Sequence, residues 1–140
     1  MAGTPLFSIA GTVSVTHHAS EKALVASWQS MTTPHFRDGL ERGLAECGRL
    51  GATSWIVDLT QNPGVPSQAD LGWIESHCVG LCKRHGIIAV INIHGTSAVA
   101  AMGAKRWSKS ASNGGMSTFD CISLADALAL AADVASGKAA

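Results

Sequence analysis

A short apolar run near the middle of the chain constrains its fold most. Ser54-Trp55-Ile56-Val57-Asp58-Leu59-Thr60 is followed by a polar loop, and then Ser67-Gln68-Ala69-Asp70 opens an apolar-periodic segment. The pattern reads as a buried strand running into the N-terminus of a helix, the repeating unit of an α/β domain. The first turn of such a helix carries unpaired N–H groups and a partial positive charge. It is where α/β proteins bind anions or present a modifiable hydroxyl.

The flanking sequence extends the same logic. Phe7 to Thr16 alternates around Ile9, Val13 and Val15, and Lys22 to Ser27 does so around Leu24, with His17 to Ser20 between them; these read as the two arms of a hairpin. From Pro34 to Leu50, Phe36, Leu40, Leu44 and Cys47 fall at helical spacing, with Thr33 placed as N-cap and Gly51 as the stop. A second helix is expected from about Ser67 to His85, with Leu71, Ile74, Cys78, Leu81 and Cys82 on one stripe and Gly86 closing it. Ile87 to Ile93 is a near-continuous apolar run, the signature of a parallel strand covered on both faces. A third helix is expected from Gly95-Thr96-Ser97 to about Ser108, broken by the polar run Lys109 to Gly115. Ser117 to Ile122 reads as a last strand, and Ser123 caps a helix carrying Leu124, Leu128 and Ala131 or Ala132. The predicted order is β-β-α-β-α-β-α-β-α, an antiparallel hairpin followed by right-handed β-α-β units. The fold class is therefore α/β, a single domain over 1–140 with an ordered core of about 7–134 and a mixed sheet whose helices lie mainly on one face.

Charge narrows the function classes. Ten Lys and Arg balance ten Asp and Glu, so the formal net charge is zero, and only 14% of the residues are charged. No basic patch is available for nucleic acid. Zero net charge with 46% apolar residues favours self-association or a partner-binding face, so a homodimer is expected. Nothing resembles a signal peptide or a membrane span, which points to a cytoplasmic protein. Cys47, Cys78, Cys82 and Cys121 sit inside apolar patterns, as buried thiols in a reducing compartment do.

The element order and several short patterns resemble the STAS superfamily, specifically the SpoIIAA-like anti-sigma factor antagonists of bacteria. The resemblance rests on Ile56-Val57-Asp58-Leu59-Thr60, Val65-Pro66-Ser67, Leu71-Gly72, the Gly86-bounded strand Ile87 to Ile93, and Phe119 to Leu128. It covers roughly residues 7 to 134. In that family a serine in the pattern Asp-Ser-Ser-Gly-Leu-Gly opens the second helix and is phosphorylated by a partner kinase. Ser67 falls at that serine and Leu71-Gly72 at the Leu-Gly; Pro66 replaces the aspartate, Gln68 the second serine, and one extra residue intervenes. The resemblance implies a non-enzymatic regulatory or protein-interaction module that engages a kinase, sensor or other signalling component. Ser67 would be its candidate phosphorylation site, and it would need no cofactor.

The same residues admit plainer roles. Ser67, with Asp70 three residues on, also reads as a helix cap, and Thr96 and Ser97 occupy the equivalent mouth after the next strand. Asp58 ends a central strand and would be the natural acid or base of an enzyme, but it has no companion nucleophile or second carboxylate, and its other role is to accept hydrogen bonds from the following loop. Cys78, Cys82 and His85 are zinc-ligand types on one helical face, yet ligands confined to one helix do not close a four-ligand site. No catalytic residue and no metal site are assigned. Trp28 and Trp55 read as core, and Trp73 and Trp107 as candidates for a partner surface. The expected binding surface comprises Asp58, Gln61, Asn62, Ser67, Trp73, Thr96 and Ser97. Two other readings stay open: a protein, or enzyme, that binds a small anionic ligand or lipid in the cleft at the strand C-termini, and a structural homo-oligomer.

Overall fold

A computed structural model describes residues 3–138. Six strands form one mixed sheet in the order β1-β2-β3-β4-β5-β6, so neighbours in the chain are neighbours in the sheet. The strands β1 (Thr4–Ile9), β2 (Val13–His18) and β3 (Ala23–Trp28) each pair antiparallel with the next. From β3 through β4 (Ser54–Asp58), β5 (Ala89–Ile93) and β6 (Ser117–Cys121) the pairing is parallel.

Each parallel pair needs a crossover, and helices supply it. The helix α1 (Phe36–Leu50) joins β3 to β4, and α4 (Ala98–Asn113) joins β5 to β6. Between β4 and β5 runs a helical segment of three parts: α2 (Gln68–Trp73), a π turn (Ile74–Cys78) and α3 (Val79–Arg84). Crossovers of one hand along a sheet in sequential order place successive helices on one face. Leu40 and Leu44 of α1, Leu71 and Cys82 of α2 and α3, and Trp107 of α4 accordingly share one core with Leu24, Trp55, Val57 and Val90 of the sheet. The last helix, α5 (Leu124–Ala135), covers the other face, where Ala127 and Ala131 meet Val25, Ile56, Ile91 and Ile93. The α/β class, the mixed sheet with its antiparallel N-terminus and the helices mainly on one face are as predicted.

Alternation along each strand divides the side chains between the two cores. Trp55 and Val57 face α1 to α4 while Ile56 faces α5, and every residue of β5 is buried. That two-sided burial explains why the run from Ile87 to Ile93 reads as almost continuously apolar.

Several local expectations differ from the structure. Phe7 to Thr16 is two strands and not one arm: the chain turns at Gly11, whose φ of +70° is a conformation side chains disfavour, and the N-terminal unit is a three-stranded meander. Thr33 is not the N-cap of α1, which is His35; the Thr33 hydroxyl instead accepts from the His35 N–H at 3.3 Å and meets Thr12 Oγ1 at 2.8 Å. The third helix does not break at Lys109. Trp107 and Ala111, four residues apart, carry its buried stripe onward, while Lys109, Ser112 and Asn113 point to solvent. In α5 the buried residues are Ala127, Ala131 and Val134, with Leu128 packed at the margin and Leu124 exposed. Alanines at the contact let the helix axis come close to the sheet, which the larger leucines would prevent.

The α1 crossover also depends on a missing side chain. A Cβ at Gly43 would overlap the Trp55 ring, which is itself 3% exposed beneath the helix. Gly43→Ala should therefore lower stability by about 1–3 kcal/mol, although alanine is the better helix former. Urea denaturation followed by circular dichroism checks this; a variant as stable as the parent would show that the helix can shift without cost.

Candidate functional site

The C-terminal ends of β4 and β5 present most of the predicted surface. Asp58 closes β4, and its Oδ1 accepts from the Thr60 N–H at 2.9 Å and the Thr60 hydroxyl at 2.7 Å. Its Oδ2 accepts from the Ser27 hydroxyl at 3.2 Å, across the register that pairs β3 with β4. The carboxylate thus pins the start of the loop and ties two strands, which is the plainer of its two predicted roles.

Gln61 and Asn62 follow, both exposed, with Asn62 in the left-handed region at φ +52°. Asparagine tolerates that conformation better than most residues. Its side chain spans to the next β-α loop: Oδ1 accepts from the N–H groups of Thr96 at 3.2 Å and Ser97 at 3.1 Å, and Nδ2 donates to Thr96 Oγ1 at 3.1 Å. Ser97 Oγ in turn accepts from Ala100 N–H at 3.2 Å as the N-cap of α4. Asn62, Thr96 and Ser97 are therefore one hydrogen-bonded unit. It occupies N–H groups of Thr96, Ser97 and Ala100 that an anion at this mouth would use.

Ser67 is exposed and caps α2, its hydroxyl oxygen accepting from the Asp70 N–H at 3.1 Å. Two arginines reach this first turn from other helices. Arg37 of α1 donates to Asp70 Oδ1 at 2.6 Å, and Arg106 of α4 donates to Gln68 Oε1 at 2.7 Å while pairing with Glu75. Trp73 stands apart from the loop cluster. It packs at the margin of the core with the Arg37 guanidinium 5.1 Å from its ring centroid and His77 at 5.6 Å, on the side toward α1.

Trp107 is not a surface residue. It is buried, and its indole N–H donates to Asn92 Oδ1 at 2.9 Å. Asn92, fully buried in β5, uses its Nδ2 to donate to Ser108 Oγ at 2.8 Å and to Asp120 Oδ1 at 3.3 Å. Asp120 also meets His94 Nε2 at 2.6 Å. The sequence reading passed over this network, although an asparagine inside the run Ile-Ala-Val-Ile-Asn-Ile was the signal for it. A buried amide in a central strand must find partners from neighbouring elements.

The sequence reading also passed over a surface groove between α2 and α4, lined by Val65, Leu71, Val99, Met102 and Arg106, with a volume of about 360 Å3. Val99 is 54% and Met102 72% exposed. Val99 and Met102 lie three apart on α4 in an alanine-rich stretch.

The four cysteines are free and buried. Desolvation pushes the Cys78 and Cys82 thiols up to about 12 and Cys47 higher still, so these sulfurs are neutral and poor nucleophiles. His85 packs its ring against Gly48 of α1. Among the described residues no group of three or more His, Cys, Asp or Glu side chains is placed to hold a metal. No helix among them is long and apolar enough to cross a membrane.

Substitutions at two positions separate capping from support. Ser67→Ala should cost about 1 kcal/mol through the lost cap, and Ser67→Asp, which can still accept from Asp70 N–H, should restore most of it. Asn92→Ala leaves the Trp107 N–H buried without an acceptor and should cost about 2–4 kcal/mol, well beyond the cap. Equilibrium unfolding in urea measures both; equal losses at the two positions would contradict the network's weight. Set against known proteins, the chain matches no family model, no curated protein and no solved structure.

Proposed function

We propose that the protein is a non-enzymatic regulatory module of the STAS type, similar to the SpoIIAA-like anti-sigma factor antagonists, and that it works by docking a signalling protein. The observation that carries this reading is the groove between α2 and α4. Exposed Val99 and Met102 stand beside Val65 and Leu71, next to the Ser67 and Ser97 caps. Apolar side chains left in water at a concave site are what a partner's apolar residues can cover. The flanking Arg106 offers a charged rim.

Ser67 is exposed at the edge of the same surface, where a phosphate would add nearly two negative charges beside the helix start. Phosphorylation there would alter the docking surface without touching the core. The small-anion alternative has less support, because Asn62 and Ser97 already engage the N–H groups of Thr96, Ser97 and Ala100 and the Asp58 carboxylate lies at the same mouth.

Affinity capture from a host-cell lysate tests the reading, with wild type, Met102→Glu and Ser67→Asp compared. A signalling protein retained by wild type and reduced roughly tenfold or more by Met102→Glu, with an unchanged circular dichroism spectrum, is the expected result. A different yield with Ser67→Asp would make the docking phospho-responsive. Equal capture by wild type and Met102→Glu would remove the groove from the reading, and recovery of only the protein itself would favour the homo-oligomer.

A further inference from the structure

Large apolar side chains left in water gather mostly in two places. Among the described residues they are Ile88, Val99, Met102, Ile122 and Leu124. Val99 and Met102 stand on α4, while Ile122 and Leu124, 83% and 41% exposed, stand at the start of α5. The two helices cover opposite faces of the sheet. Their outer surfaces look away from each other, so nothing within one molecule brings the two patches together.

The charges on the two helices are opposite. Lys105, Arg106 and Lys109 lie on α4, which has no acid, whereas Asp126 and Asp133 lie on α5, which has no base. Arg106 is held by Glu75 and Gln68. Lys105, Lys109, Asp126 and Asp133 are exposed and belong to no ion pair among the described residues. Helical periodicity sets both surfaces. Ala100, Ala104, Trp107 and Ala111 take the buried side of α4 and leave Met102, Lys105 and Lys109 outside; Ala127, Ala131 and Val134 do the same in α5 and leave Ala125, Ala129 and Asp133 outside. Alanines give α5 a low surface onto which another helix can pack closely. With zero net charge, the chain has no overall repulsion to hold two such faces apart.

We propose that the protein assembles head to tail, the outer face of α4 in one copy seated on the outer face of α5 in the next. Parallel seating matches the two helices along their length. The apolar N-terminal ends meet, Val99 and Met102 against Ile122 and Leu124, and the lysines that follow on α4 lie over the aspartates of α5. Because the faces differ, each copy keeps one of them free for a further copy, and the assembly grows unless it closes into a ring. The twelve residues of α5 span only about 18 Å, so each contact is small and reversible. This assembly needs no signalling protein and does not rest on the docking reading, although a copy covering Val99 and Met102 closes the groove to another partner.

Sedimentation equilibrium of the purified full-length protein over roughly a hundredfold range of concentration tests this. The weight-average mass should climb past that of a dimer. Met102→Glu spoils the α4 face, and Ala129→Lys with Asp133→Lys spoils the α5 face; all three positions are exposed, and Asp126 stays in the first turn of its helix. Each variant alone should associate at least about tenfold more weakly with an unchanged circular dichroism spectrum, and an equimolar mixture of the two should form a one-to-one complex that grows no further. Lys105→Glu with Lys109→Glu, and Leu124→Lys, repeat the test should either variant fail to fold. A wild type that stays monomeric would overturn the proposal, as would a mass that levels off at the dimer, a variant that assembles as well as wild type, or a mixture that stays monomeric. The α5 variant leaves α4 and its groove intact, so partner capture by that variant reports on the docking reading alone.

Discussion

Burial of β4 and β5 on both faces is the constraint on which the rest of the molecule depends. Trp55 and Val57 look toward one helix layer and Ile56 toward α5, and all of β5 is out of water. Strands of this kind cannot stop at a solvated face, so the chain must return a helix after each of them. The β-α loops then gather at one end of the sheet, and those loops carry Asp58, Asn62, Ser67, Thr96 and Ser97. The candidate surface is thus a consequence of strand burial and not an addition to it.

The helices meet the sheet through small residues, and the spacing of those contacts shapes the helices. Gly43 admits Trp55 beneath α1, and Ala127 and Ala131 bring α5 onto Ile56 and Ile91. In the segment from Gln68 to Arg84 the buried residues Ile74, Cys78 and Cys82 recur every four positions, which overshoots the 3.6-residue turn of an α-helix. A π turn absorbs the excess and keeps all three side chains on the sheet. The irregularity follows from the pattern of burial.

Polar groups at the site are mostly engaged with one another. Asp58 holds Thr60 and Ser27, Asn62 holds Thr96 and Ser97, and Ser67 and Ser97 cap their own helices. Groups so engaged make a rigid platform and leave little chemistry free. What the surface does expose is apolar, at Val99 and Met102, with Arg37 and Arg106 bound across the start of α2.

The sequence by itself determined the α/β class, most strand and helix positions, the capping serines and the core roles of Trp28 and Trp55. Periodicity and end signals are local properties, so Ser67, Gly51 and Gly86 could be read without knowing what they pack against. The turn at Gly11 was equally local but was hidden by apolar alternation on either side of it. Only the tertiary structure decided which surfaces pair. Asn92 has no local partner, and its bonds to Trp107, Ser108 and Asp120 exist because α4 and β6 are brought beside β5. Trp107 belongs to the core for that same reason, and Met102 to the surface because α2 leaves that side of α4 open. Those assignments depend on the distance and angle between elements far apart in the chain, which no window of sequence contains.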